Sequence, residues 1–207
     1  MKLMYAWGWP AFLAFFSACA TFQVGSDFAS GREAMIKGDY ETALGYFQSA
    51  AQRDPDYVYG GVLRQGIWSY VGRTQYLTGS WGPAQQTLEK ALTLGPGKEL
   101  INLYLGLSRI RSGDRRKGLE DLKAGMKEID QFINYVTEAF RYGIGAFWDP
   151  GHAIRNAVQT TLGAASGDHI DWQQLIADGE WTGMNFEREP DRANAQQIRD
   201  LTTQGRR

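Results

Sequence analysis

Residues 3–26 carry no charge, and Leu3, Met4, Tyr5, Trp7, Trp9, Phe12, Leu13, Phe15 and Phe16 make that stretch apolar enough to enter a bilayer. The pattern changes at Asp27, beyond which apolar and small positions recur with helical spacing to about residue 132. Within this region Leu100, Leu103, Tyr104, Leu105, Leu107 and Ile110 make one segment apolar nearly all round. The helix it predicts must be covered from several sides. Farther on, Phe132, Val136, Phe140, Ile144 and Phe147 follow steps of three and four, widened by Ile133, Tyr135, Tyr142 and Trp148. That stripe predicts one amphipathic helix over 131–148, the nearest cover for the apolar helix before it. Asp149 and Pro150 read as an N-cap and a first-turn proline, opening a helix through Ile154, Val158 and Leu162 that ends in the glycines of 163–167. Asp171 with Gln174 has capping-box spacing and starts another helix through Trp172, Leu175, Ile176 and Trp181. Pro190 then sets off a charged tail that is expected to fray.

A longer period underlies the middle of the chain. Gly31, Gly38, Ala43, Phe47, Ala50 and Pro55 return at the same internal spacing as Gly72, Gly79, Ala84, Leu88, Ala91 and Pro96, and again as Gly106, Gly113, Gly118, Leu122 and Gly125. Gly72 follows Gly31 by 41 positions and Gly106 follows Gly72 by 34, the longer interval holding an insertion near residues 57–63. The small residues have a physical reading. Gly31, Gly72 and Gly106 on a first helix, with Ala43, Ala84 and Gly118 on a second, let two antiparallel helices approach closely. Gly38, Gly79 and Gly113 stop the first helices, because glycine takes the left-handed conformation at a helix C-terminus without a Cβ clash. Pro55 and Pro96 end the second helices. One hairpin cannot bury its apolar face alone, so the copies must stack.

Over about residues 24–132 these positions resemble the tetratricopeptide repeat (TPR) family, whose period is about 34 residues. Only Trp68 supplies the aromatic residue common at the fourth repeat position, where Asp27 and Asn102 stand in the other copies, and the third copy has Asp130 in place of the closing proline. The resemblance implies an all-α fold: a TPR helical-hairpin solenoid of about three repeats, capped by C-terminal helices over 133–189 and followed by a charged tail over 190–207.

At the N-terminus, Lys2, the apolar run and the small residues Ser17 and Ala18 ahead of Cys19 follow the three-part layout of a secretory signal. Phe16-Ser17-Ala18-Cys19 resembles the lipobox of bacterial lipoproteins, with Phe where Leu is usual. By that resemblance residues 1–18 are a lipoprotein signal peptide and Cys19 carries covalent lipid. Two or more acyl chains, at roughly 0.8 kcal/mol per buried methylene, hold a protein stably where one is marginal. Ala20, where lipoproteins kept at the inner membrane often have Asp, implies the outer membrane, facing the periplasm. The other reading is an uncleaved helical anchor, since residues 3–26 exceed the roughly 20 needed to span a bilayer. Both readings place the remaining chain outside the cytoplasm.

Composition narrows the function. The chain has 207 residues, 43% of them apolar, with 22 basic against 23 acidic residues and a net charge of -1. It therefore lacks the cationic excess that nucleic-acid binding exploits, and no nucleic acid is expected as a partner. Cys19 is the only cysteine, so no intrachain disulfide can form. The two histidines, His152 and His169, have no histidine or cysteine three or four residues away, as helical metal sites require, and no metal is expected. Gly143-Ile144-Gly145 begins like a dinucleotide fingerprint, but the third glycine and the preceding strand are missing. Glu187 and Glu189 offer a carboxylate pair, for which a solvated helix end is the plainer reading, as it is for Arg115, Arg116 and Lys117. No catalytic residue and no cofactor other than the lipid on Cys19 is expected.

What remains is binding. In TPR proteins the ligand groove is lined from the first helix of each repeat, and the resemblance carries that role to Arg32 and Met35 in the first copy and to Ser69, Arg73 and Tyr76 in the second. Leu103, Leu107 and Ile110 of the third copy look covered. Arginine there can make paired hydrogen bonds to a carboxylate, and tyrosine gives a rigid amphipathic surface. The function implied is a membrane-anchored scaffold that grips a protein or peptide of an envelope complex. The alternative is a carrier of a small hydrophobic ligand associated with a transport system. A pocket closed by the C-terminal helices favours the carrier, and an open groove favours the scaffold.

Overall fold

The computed structural model describes the backbone of residues 13–204 and the side chains of residues 23–203. The expected signal peptide lies largely outside these described residues, as does the side chain of Cys19. The described chain is all-α. It forms α1 (Leu13–Ile36), α2 (Tyr40–Arg53), α3 (Ile67–Leu77), α4 (Trp81–Leu94), α5 (Lys98–Arg111), α6 (Arg115–Ala139), α7 (Ala153–Ala164) and α8 (Trp172–Gln204). The insertion between α2 and α3 makes a small antiparallel hairpin of β1 (Val58–Tyr59) and β2 (Gln65–Gly66).

The recurrent small residues explain the first six helices. Gly38, Gly79 and Gly113 all have positive φ, of 80°, 80° and 97°. Each is followed by the same two hydrogen bonds: Gly38 N to Met35 O and Asp39 N to Ala34 O, Gly79 N to Tyr76 O and Ser80 N to Gln75 O, Gly113 N to Ile110 O and Asp114 N to Arg109 O. This is the Schellman closure of a helix, made three times. The chain then turns back, so α1 pairs with α2, α3 with α4 and α5 with α6. Where the pairs cross, a Cβ added to Gly31 would meet the Phe47 ring at 2.7 Å and one added to Gly72 would meet Leu88 at 2.6 Å. The third crossing is tighter, since a Cβ on Gly106 would stand 2.4 Å from the Leu122 amide nitrogen. Ala43, Ala84 and Gly118 are buried opposite them. Replacing Ala84 by Leu should therefore overpack the crossing by about 1–3 kcal/mol in chemical denaturation. Exposed Gln86 is the matched control and should tolerate Leu. Gln85 is unsuitable, because its amide donates to Ser108 O and Ser112 Oγ.

Asp27, at the position where an aromatic residue is common, is buried and accepts hydrogen bonds from Ser49 at 2.8 Å and Gln23 at 3.0 Å, with Arg53 at 3.2 Å. Burial opposes its ionisation, but the bonds from Ser49 and Gln23 and the charge of Arg53 outweigh it and hold the carboxyl below its ordinary value. This polar cluster ties α1 to α2.

The C-terminal third departs from expectation in three ways. The stripe over 131–148 is not one helix: lacking a proline at Asp130, α6 continues to Ala139, and the chain then reverses through a 3₁₀ turn, Ile144–Phe147. Gly145 permits the reversal, since a Cβ there would lie 2.4 Å from Val136 O. Nor does 131–148 cover the length of α5, of which it reaches only the start, beside Lys98 and Glu99. That cover is α8, whose Gly179 and Gly183 sit against Leu107 at 2.9 Å and Tyr104 at 2.8 Å when given a Cβ. Finally, Pro190 does not begin a frayed tail but lies inside α8, which runs on to Gln204. Phe186, Glu189 and Ala193 around it are buried, so tertiary packing overrides the missing hydrogen bond. α7 begins only at Ala153, after His152, so Pro150 precedes the helix and is not in its first turn. The Asp149 side chain nevertheless accepts from the amides of Ile154 and Arg155, and Asp171 caps α8 through those of Gln173 and Gln174. The Gln174 side chain turns forward to Asp178, leaving the reciprocal half of the capping box unmade.

Candidate functional site: the first-helix face and its occupant

The face shared by α1, α3 and α5 is not open. α8 lies along it, running antiparallel to α5, and meets residues that the resemblance implies would line a groove. Arg73 is completely buried. Its Nη1 and Nη2 donate to the two carboxylate oxygens of Glu187 at 2.7 and 3.3 Å, and its Nε donates to Ser69 O. The guanidinium also stands 4.5 Å from the Tyr70 ring and 5.8 Å from that of Tyr104. Burial alone would ease deprotonation of Arg73, but the charge of Glu187 and the neighbouring tyrosines outweigh it and keep it cationic. The paired geometry anticipated between arginine and carboxylate is made inside the molecule.

Tyr76 donates to Glu180 on α8, and Arg111 donates to the same carboxylate oxygen at 3.1 Å. Burial, with the bond to Glu180, pushes the Tyr76 phenol far above its ordinary range, so it remains a neutral donor. Arg32 donates to Asp191 at 2.8 Å and to the Tyr59 hydroxyl at 2.7 Å. The Asp191 side chain is 58% exposed, so this outer pair contributes little beside the buried one. Ser69 is buried with its hydroxyl unpartnered. The usable open groove over Arg32, Met35, Ser69, Arg73 and Tyr76 is thus corrected: Arg73 and Tyr76 are covered by α8, and Ser69 is buried among α3, α4 and α5. Arg32 and Met35 stay half-buried at the rim.

A cleft of about 150 Å³ remains between α1, the end of α3 and α8, lined by Arg32, Met35, Ile36, Tyr40, Leu77 and Met184 among others. Ile36 and Met184 are 58% and 37% exposed there, and Trp181, exposed by 41%, is on the same helix as Met184.

The residues that sequence reasoning missed are those of α8. Glu180, Glu187 and Asp191 are spaced by seven and four, which places them on one helical face, with Gly179 and Gly183 beside them. That periodicity was the available signal. Glu187 and Glu189 are not solvated: Glu189 is buried, accepts from the Asp149 amide and pairs with Arg192, which in turn donates to Phe147 O. Both carboxylates fasten α8 to the body. Arg115, Arg116 and Lys117 are exposed, with Arg115 stacked 4.6 Å from the Trp172 ring, and His152 and His169 face solvent. Among the described residues no group of three or more His, Cys, Asp and Glu is placed to hold a metal ion. No helix among them is long and apolar enough to cross a membrane.

No family model matches the chain, and no curated protein or solved structure is significantly similar to it.

Proposed function

We propose that this chain is a membrane-anchored periplasmic lipoprotein whose hairpins are TPR units and which acts as a protein–protein interaction scaffold in an envelope complex. One observation carries the reading: the first-helix face grips an acidic amphipathic helix through Arg73, Tyr76 and Arg32. A surface built in this way recognises helices by anchors on one face plus charge-assisted bonds. Three Schellman-closed hairpins with the same crossing pattern support the repeat assignment. The lipobox resemblance at Cys19 supports an outer-membrane anchor. The reading assigns no catalysis, no metal and no cofactor beyond the covalent lipid.

The carrier alternative is less well supported. The cleft of about 150 Å³ falls below the roughly 300–1,000 Å³ of ordinary small-molecule sites. A wider hollow of about 360 Å³ beside α1 is open and carries Glu33 and Lys37 on its wall.

Because Arg73 and Tyr76 lie beneath α8, altering them reports on the docking of α8 and not on an external partner. The test instead places a photo-crosslinking residue at Ile36 or at Met184 in intact cells, with exposed Gln86 as the outer control. The cleft positions should capture one defined protein while Gln86 captures none; capture confined to Gln86 would sink the assignment. Intact-mass measurement of the detergent-extracted protein should show residues 1–18 lost and acyl mass gained on Cys19. An unmodified Met1 start removes the lipoprotein reading, whatever the crosslinks show.

A further inference from the structure

Ten large hydrophobic side chains are left exposed among the described residues, and their distribution is uneven. Two, Ile36 and Met184, line the cleft, Trp181 lies one turn before Met184 on α8, and Tyr46 stands alone on α2. The other six, Leu94, Tyr135, Phe140, Tyr142, Ile198 and Leu201, converge on one edge.

Antiparallel pairing places the N-terminal ends of α1, α3 and α5 and the C-terminal ends of α2, α4 and α6 along that edge. Contacts tie it together: Ile67 N donates to Tyr57 O, Gly66 N donates to Pro96 O, and Lys98 and Tyr135 line one hollow. α6 has 25 residues against 14 in α5, so it overshoots its partner there by roughly 15 Å at 1.5 Å per residue. The overshoot carries Tyr135 and leads into Phe140, whose rings stand 6.0 Å apart, and Tyr142, which is 93% exposed. α8 reaches the same edge at its C-terminal end, where the Gln197 side chain lies beside Gly143.

Cys19 precedes this edge directly. Val24 is already buried in the core of α1, α2 and α3, so five helical residues, about 7–8 Å, separate the cysteine from the folded body. Even fully extended, five residues reach only about 18 Å. A tether so short keeps the start of this edge close to the surface to which Cys19 is fixed. Aromatic side chains with polar tips are the type that settles at a membrane–water boundary.

We infer that this edge is a lipid-docking surface: Leu94, Tyr135, Phe140, Tyr142, Ile198 and Leu201 rest in the headgroup region of the membrane holding the anchor, and the cleft faces away from it. The inference rests on the proposed anchoring at Cys19. It is tested with the full-length acylated protein in phosphatidylethanolamine–phosphatidylglycerol vesicles. Tyr142→Cys and, at the opposite edge, Lys117→Cys are each labelled with a fluorophore and exposed to headgroup-nitroxide lipid. Acylation of Cys19 leaves the introduced thiol as the sole target. The label at position 142 should be quenched at least threefold more than that at 117, and combining Tyr135→Ser with Phe140→Ser should at least halve the difference without altering flotation. Equal quenching at both positions, with the protein still floating, overturns the docking surface. So does a label at 142 that is unquenched in vesicles but shielded in intact cell envelopes, which would assign the edge to a protein. If the unsubstituted chain itself takes the label at Cys19 and fails to float, the anchor and the docking fall together, an outcome this control distinguishes from the first.

Discussion

Glu187→Ala is expected to destabilise the fold by about 3–5 kcal/mol, because it leaves the fully buried Arg73 guanidinium without its carboxylate. Removing one partner of a buried pair costs far more than the pair itself contributes, since the remaining charge has lost its solvation and gained nothing. The double variant Arg73→Met with Glu187→Leu should recover most of the loss, an apolar pair of similar volume being nearly neutral in such a setting. Urea unfolding followed by circular dichroism gives the cycle, and hydrogen exchange localises it: the single variant should lose protection in α8 before the hairpins open. A cost under about 1 kcal/mol would mean that the pair behaves as a surface ion pair, contrary to its burial.

Gly106→Ala should cost at least about 3 kcal/mol, the upper end of overpacking, although alanine is intrinsically the better helix former by about 1 kcal/mol. The added methyl would meet backbone on α6, at 2.4 Å from Leu122 N and 2.7 Å from Gly118 O, and backbone cannot rotate away. Gly45→Ala on α2 is the counterpart. Nothing stands within 4 Å of its Cβ position, so there the same substitution should raise stability by up to about 1 kcal/mol. Opposite signs for one chemical change would place the helix crossings residue by residue. If Gly106→Ala unfolds at the denaturant concentration of the unsubstituted protein, α5 and α6 do not approach as described.

The hairpins were legible because their determinants are local and repeat. A glycine that ends a helix and a small residue at a crossing leave a signal at fixed spacing, and three copies make it readable. The end of α6 was misread for a different reason: hydrophobic steps of three and four continue through Phe140 to Phe147, while the reversal depends on Gly145, whose role becomes visible only against Val136 O. Pro190 misled in the opposite sense, since its helix-breaking tendency is local and the burial that overrides it is not. The groove illustrates the largest gap. Residue types at Arg73 and Tyr76 pointed to carboxylate recognition, but that the carboxylates belong to the same chain, 114 and 104 residues onward, is a fact of tertiary structure alone.

The composition of α8 bears on the order in which the molecule assembles. With Gly179, Gly183 and Pro190 in its middle, this helix has poor propensity of its own and depends on the face it covers. It is also the last of the described helices to emerge in synthesis, and its contacts close long sequence intervals, the slowest kind to form. The hairpins, by contrast, are built from near neighbours and can fold early. This order leaves Arg73 and Tyr76 uncovered until α8 docks, and pulsed hydrogen exchange during refolding should show α8 gaining protection last. During that interval the arrival of residues 172–204 competes with any other acidic helix nearby, making the C-terminal segment the kinetic gatekeeper of its own protein.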